Sequence, residues 1–119
     1  MVKKLNVNEN FFNEESNTMF YVLGAAFRCY TNNYGSNVFR SRHMDLVEII
    51  HSSLECEQAI RADPRGKKSY VLEVHDKALR HSLERWGLAV DKSERKFPVF
   101  DAEYLRYFNR GFFDAVGTH

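Results

Sequence analysis

Arginine side chains at alternating positions of two predicted strands are suited to contact a polyanion. Arg40 and Arg42 are two residues apart, so an extended chain places both on one face. Arg61 lies in a neighbouring predicted strand, and we expect it on the same face. On an open sheet, arginines in such a row can hydrogen-bond to guanine in the major groove of DNA. Three further cations crowd the following turn, where they could contact phosphates: Arg65, Lys67 and Lys68.

Each of these basic residues also has a plainer interpretation. A strand face that points into solvent normally carries charges, and exposed turns are often rich in lysine. Glu73 is expected on the same sheet face as the arginines, which weakens the prediction of a DNA contact. The sequence alone leaves both interpretations open.

Residues for other kinds of chemistry are sparse. The two cysteines, Cys29 and Cys56, are far apart in sequence and form no CxxC pair, and the five histidines show no metal-ligand spacing. A glycine-rich phosphate loop and a Ser/His/Asp arrangement are also missing from the sequence. We therefore predict no resident metal or cofactor, and a reducing compartment.

Composition predicts one folded domain. The chain has 119 residues, of which 44% are hydrophobic, and a formal net charge of +1. This excludes global disorder and gives no sign of a strongly basic nucleic-acid binder. Met1–Asn10 is polar and Met19–Phe27 is too short to span a bilayer, so we expect a cytoplasmic protein without a membrane partner.

The pattern of apolar residues predicts four helices and two strand pairs. A helix that is apolar nearly all round starts near Met19, with Asn17 or Thr18 as its cap, and ends at Cys29. Two short strands follow within residues 30–43, then a helix over residues 46–54. A second hairpin joins strands at residues 56–62 and 69–75.

Two more helices complete the prediction. Asp76 caps the first of them, and Gly87 stands where a left-handed stop belongs. Asp101 is predicted to cap the last helix, over residues 101–116. The order α-β-β-α-β-β-α-α predicts an α+β fold, a four-stranded antiparallel sheet with helices on one face.

The two end helices are similar to one another and to a known motif. Tyr21–Tyr30 and Phe108–Gly117 can be written one above the other with Gly24 over Gly111. The second stretch resembles a LAGLIDADG motif with one substitution. The chain from Asn8 to Gly24 resembles the lead-in to a first motif, and residues 86–98 resemble the link into a second. The chain is thus similar to the LAGLIDADG homing endonucleases over nearly its whole length.

The resemblance implies a fold and a set of roles. In that family two motif helices pack side by side at a pseudo-twofold axis, which here implies close packing at Gly24 and Gly111. Each motif ends in an acid that binds divalent metal, and the sheets sit in the DNA major groove. Lys92 resembles a basic residue that some members place near the active centre.

The sequence departs from the family at the acids. Cys29 and Val116 occupy the two acid positions, and Asp114 is about 200° around the helix from Val116. We therefore expect a degenerate LAGLIDADG domain that binds double-stranded DNA, with no cleavage and no cofactor. Mg²⁺ would be needed only if nuclease activity persists.

Two alternatives remain open on the sequence: a weakly active, site-specific endonuclease and a non-catalytic protein-interaction remnant. Only Thr118 and His119 follow the second motif, where two-motif members continue into a second sheet. The last helix is therefore expected either to fold back on the first or to exchange with a second chain in a homodimer.

Overall fold

The structure is a computed structural model that describes residues 6–33, 36–63, 68–88 and 95–116. It confirms an α+β fold with the predicted order of four helices and four strands. The helices are α1 (Asn17–Cys29), α2 (Met44–Leu54), α3 (Lys77–Arg85) and α4 (Leu105–Val116). The strands are β1 (Tyr30–Asn33), β2 (Ser36–Ser41), β3 (Arg61–Ala62) and β4 (Tyr70–Val74). Short 3₁₀ helices span Phe11–Asn13 and Ala102–Tyr104.

The four strands form one open antiparallel sheet in the order β1-β2-β4-β3. Its two faces differ. Phe39, Leu72 and Val74 belong to the main hydrophobic core, which also takes in the helices. Val38 and Val71 are buried but lie outside that core cluster, on the other face. We call this second face the outer face; it contains Val38, Arg40, Arg61, Val71 and Glu73.

Helix α1 is the centre of the core. Nine of its thirteen residues are buried, as expected for a helix that is apolar nearly all round. Its cap differs from the prediction of Asn17 or Thr18: the Ser16 hydroxyl accepts a hydrogen bond from the Met19 backbone N–H at 3.0 Å. Ser16 is extended, which is the conformation an N-cap residue needs, whereas Asn17 is already helical.

Helix α4 starts later than the predicted residue 101. Ala102–Tyr104 forms a 3₁₀ turn first, and Asp101 makes no side-chain capping bond. Only the backbone carbonyl of Asp101 accepts from Tyr104, at 3.0 Å. The first turn of this segment is therefore a tighter 3₁₀ turn, and the regular α-helix begins at Leu105.

Strand β3 is much shorter than the predicted strand over residues 56–62. The backbone N–H of Glu57 donates to Asn6 and the N–H of Asn8 donates to Leu54, so this stretch pairs with the N-terminal arm. The Gln58 side chain donates to the Glu73 carbonyl at 3.1 Å. These hydrogen bonds occupy backbone groups that would form pairs in a longer β3–β4 ladder.

The ends of α3 match the sequence prediction. The Asp76 carboxylate accepts from the Leu79 N–H at 2.9 Å. Gly87 has a φ of 102°, and the Leu88 N–H donates to Leu83 at 3.0 Å, the expected pattern for a left-handed helix stop.

Candidate nucleic-acid interface

Helices α1 and α4 pack side by side and run in the same direction. The Phe20 ring stacks on Tyr104 with centroids 4.4 Å apart. One turn further along each helix, Gly24 meets Phe108. Residues near the start of α1 contact residues near the start of α4, and residues further along α1 contact residues further along α4. The two helices are therefore parallel. Their C-terminal ends therefore lie at the same end of the pair.

Two glycines make the closest approach between these helices. A Cβ atom built on Gly24 would overlap the Phe108 carbonyl oxygen, and one on Gly111 would overlap the Tyr21 carbonyl oxygen. Backbone atoms cannot move aside as a flexible side chain can, so neither position accepts a larger residue. The glycines are what allow the two backbones to touch.

The glycine contacts are reciprocal. Gly111 follows Gly24 by 87 positions, and Phe108 follows Tyr21 by the same number. Tyr21 lies three positions before Gly24, and Phe108 lies three positions before Gly111. Each glycine therefore contacts the carbonyl of the residue that lies three positions before the other glycine. A second contact follows the same rule: Tyr21 donates to Asp114 at 2.6 Å, and the equivalent residues Phe108 and Phe27 have ring centroids 5.5 Å apart. The helix pair therefore has a local twofold relation.

Among the residues that the structure describes, no pair of acids stands at the common end of the helices. Cys29 is buried and Val116 is 39% exposed. The Asp114 carboxylate accepts a hydrogen bond from the Tyr21 hydroxyl. It also forms an ion pair with Arg110, whose Nε lies 3.2 Å from Asp114 Oδ1. Burial, with the hydrogen bond to Asp114, raises the pKa of Tyr21 well above its usual range. Within residues 6–33, 36–63, 68–88 and 95–116, no group of three His, Cys, Asp or Glu could hold a metal.

Arg95 lies at the C-terminal end of α1, a contact that the sequence did not predict. Its guanidinium donates to the Tyr30 carbonyl at 2.7 Å and to the Phe27 carbonyl at 3.4 Å. A cation at this end complements the helix dipole and satisfies carbonyls that the helix leaves open. Burial lowers the pKa of Arg95. The basic character of the segment after Gly87 was the only signal for it.

The outer face brings together two of the predicted DNA-contacting arginines. Arg40 and Arg61 flank Val71 in the register of β2, β4 and β3, so the three form one row. Both arginines are paired: Arg40 Nε lies 3.1 Å from buried Asp63, and Arg61 lies 2.7 Å from Glu73. The sequence placed Glu73 on this face, but gave no sign that Asp63 turns back to Arg40.

Glu73 is the centre of a small polar network on the outer face. The Ser36 hydroxyl donates to it at 2.7 Å, and His75 Nε2 lies 3.8 Å away. The hydrogen bond from Ser36, with further help from Arg61, lowers the pKa of Glu73. Glu73 therefore stays ionised and offsets part of the positive charge of this face.

The remaining predicted contacts divide into two groups. Arg42 directly follows β2 and is exposed, and Lys68 is exposed beside the turn. Arg65, Lys67 and Lys92 lie outside the residues that the structure describes. Both cysteines are buried, and neither takes part in a disulfide bond. Burial raises the pKa of Cys56.

No protein-family model matches the chain. No curated protein matches it either. Among the described helices, none is both long enough and apolar enough to cross a membrane.

Proposed function

We propose that the protein is a LAGLIDADG-like module that binds double-stranded DNA in the cytoplasm without cutting it. The observation that carries this proposal is the reciprocal contact of Gly24 and Gly111. The two motif-like stretches align with an offset of 87 positions. Adding 87 to Gly24 and Tyr21 gives Gly111 and Phe108, which are the residues that meet them across the helix pair. A chance likeness between two apolar helices would not require equivalent residues to meet across the pair.

The outer face is the surface we assign to DNA. Its row of Arg40, Val71 and Arg61 lies across three strands, and Arg42 is exposed beside it. A sheet face of this kind can enter the major groove, where arginine donates to guanine. Asp63 and Glu73 hold Arg40 and Arg61 in position, and the two carboxylates neutralise part of the positive charge of these arginines.

The ends of α1 and α4 support the proposed lack of cleavage. Phosphodiester hydrolysis by this family's route needs carboxylate oxygens to hold Mg²⁺. Cys29 and Val116 offer none, and Asp114 is bound to Tyr21 and Arg110. We therefore expect DNA affinity with no strand scission.

The test is fluorescence anisotropy with a pool of mixed-sequence duplexes at two salt concentrations. Phosphate contacts predict affinity that falls steeply with salt, with a slope of about 0.9 per phosphate neutralised. Arg42→Gln and Arg61→Gln should each weaken binding, and a lost phosphate contact lowers the slope by about one. Arg106→Gln, an exposed change on α4, is the matched control and should bind as wild type.

Absence of duplex binding at low salt would overturn the proposal. The proposal would also be overturned if Arg42→Gln, Arg61→Gln and Arg106→Gln all bound duplex DNA with the same affinity. In either case the arginines of the outer face would be solvated strand residues.

A second candidate function is a protein-interaction module, and one observation favours it. The outward side of α4 exposes Leu105, Phe113 and Val116, which are apolar. In the structure α4 packs on α1 of the same chain, and these three side chains remain exposed. A homodimer through this side of α4 is the simplest partner arrangement, and light scattering at high protein concentration would detect it.

A further inference from the structure

A cavity of about 330 Å³ opens beside the C-terminal half of α1, away from the residues assigned to duplex DNA. Its lining residues come from α1, α4 and the segment before α4: Phe27, Arg28, Arg95, Phe97 and Phe112. The volume lies within the range of small-ligand sites in proteins.

The charged side chains that line the cavity are two arginines, and each contacts a neighbouring group. The Arg28 guanidinium lies over the Phe112 ring, 5.4 Å from its centroid. Arg95 is fixed by the Phe27 and Tyr30 carbonyls. No carboxylate lines the cavity among the described residues. The walls therefore favour an anion, and a planar guanidinium is well shaped to bind phosphate.

The other lining residues are three aromatic rings, and Phe97 is the most accessible of them. Its ring stacks on Phe27 at an interplanar angle of 27°, with centroids 5.2 Å apart. Edge contacts with Phe108 and Phe112 fix it from the sides. Phe97 is nevertheless 63% exposed. An aromatic ring fixed in place and still open on one side is a platform on which a planar ligand can stack.

We propose that this cavity binds a nucleotide unit with an unpaired base. The base stacks on the open side of Phe97, and its phosphate faces Arg28 and Arg95. Two cations and a fixed aromatic platform match the two parts of a nucleotide, an anionic group and a planar ring. A base in a perfect duplex is stacked on its neighbours and cannot reach Phe97, so the ligand is a single strand, a displaced base or a free nucleotide.

The experiment compares two labelled eight-residue strands by fluorescence anisotropy at low salt. One is oligothymidylate; the other has the same phosphates but stable abasic sugars. Stacking of one base predicts that wild type binds oligothymidylate about 5- to 150-fold more tightly. Phe97→Leu keeps apolar volume but removes the ring, and should abolish that preference. Arg28→Gln should weaken binding to both strands.

Two matched controls separate the cavity from its surroundings. Val99→Ala changes a residue that is 97% exposed in the same segment. Arg106→Gln removes a guanidinium that also lies over a ring, 4.8 Å from the Tyr107 centroid. Both controls should keep the preference for oligothymidylate. Competition with thymidine monophosphate then identifies the source: displacement indicates a free-nucleotide site, and displacement only by strands indicates a polynucleotide.

Equal affinity of wild type for the two strands would overturn the inference, as would a Phe97→Leu variant that kept the preference. Perfect-duplex binding tested with Arg61→Gln is a separate measurement. The cavity variants should leave it unchanged, so the failure of one proposal is distinguishable from the failure of the other.

Discussion

The contact between α1 and α4 and the outer face of the sheet obey different rules. In the helix contact two backbones touch, and Gly24 and Gly111 leave no room for a side chain. On the outer face, charged side chains meet in pairs such as Arg61 with Glu73, half-exposed to solvent. The first region is fixed by steric exclusion and the second by ion pairs, of which Arg61–Glu73 is partly exposed and screened by solvent, whereas Arg40–Asp63 has a buried carboxylate.

This difference separates the residues that the packing of α1 and α4 requires from those that only the proposed chemistry would require. Neither glycine can be replaced without moving a helix, so the packing itself requires both. In the proposed motif pair Cys29 and Val116 occupy the acid positions, and these are a buried thiol and a partly exposed apolar side chain.

The largest effect is expected from Gly24→Ala. The new methyl group would overlap the Phe108 carbonyl, and the helices would have to separate. We expect a loss of about 3 kcal/mol or more of unfolding free energy, with a fall in Tm of roughly 12 °C or more. Thermal denaturation followed by circular dichroism measures it.

Gly111→Ala should show a loss of the same size, because its contact is the twofold equivalent of the first. Asn109→Ala, an exposed change on the same helix, is the control and should be neutral or slightly stabilising. A Gly24→Ala variant with an unchanged Tm would contradict the close backbone contact.

The next effect concerns Tyr30, where α1 joins the sheet. Burial raises the pKa of Tyr30 from 10.0 to about 12, and its hydroxyl donates to Asn37 at 2.7 Å. The folded state holds the proton more tightly than the unfolded state, so this stability is complete below pH 10 and is lost as pH rises towards 12. We expect a loss of about 2 kcal/mol across this window.

Denaturant unfolding at pH 9, 10, 11 and 12 measures the loss, and ultraviolet absorbance reports tyrosinate formation. Tyr30→Phe should be less stable at neutral pH but should lose less on going to high pH. Equal slopes for wild type and Tyr30→Phe would show that this hydroxyl does not govern alkaline unfolding.

The smallest effect is expected from Glu73→Gln on the outer face. The change removes a negative charge beside Arg61 and should raise duplex affinity by about fivefold. Its stability cost should stay below about 1 kcal/mol, because the ion pair is partly exposed. Anisotropy at low salt measures the affinity, and Glu84→Gln on α3 is the control. Lower affinity for Glu73→Gln would mean that duplex DNA does not meet this face.

Local signals in the sequence predicted most of the fold. The periodicity of α1, the Asp76 cap and the Gly87 stop each depend on neighbours in the chain, and all three are confirmed. The predicted extent of β3 was wrong because the Glu57 backbone N–H donates to Asn6 in the N-terminal arm, and the Gln58 side chain donates to the Glu73 carbonyl of β4.

The candidate site was predictable only in part. Alternation along one strand predicted that Arg40 and Arg42 share a face. Arg61, on another strand, was expected on the same face as Arg40, and the strand register confirms it. The pairing of Arg40 with Asp63 and of Arg61 with Glu73 depends on how the strands align, which residue spacing does not determine. Arg95 comes from an irregular segment, and its contact with the end of α1 has no periodic signal.

The central claim is that α1 and α4 form a motif pair whose metal acids have been lost. Its most direct test is Mg²⁺ binding by the double variant Cys29→Asp with Val116→Asp, measured by calorimetry against the isosteric control Cys29→Asn with Val116→Asn. Parallel helices bring both positions to the same end, so we predict that Mg²⁺ binds the aspartate variant and not the asparagine control. A folded aspartate variant that binds no Mg²⁺ and cleaves no duplex would contradict the claim.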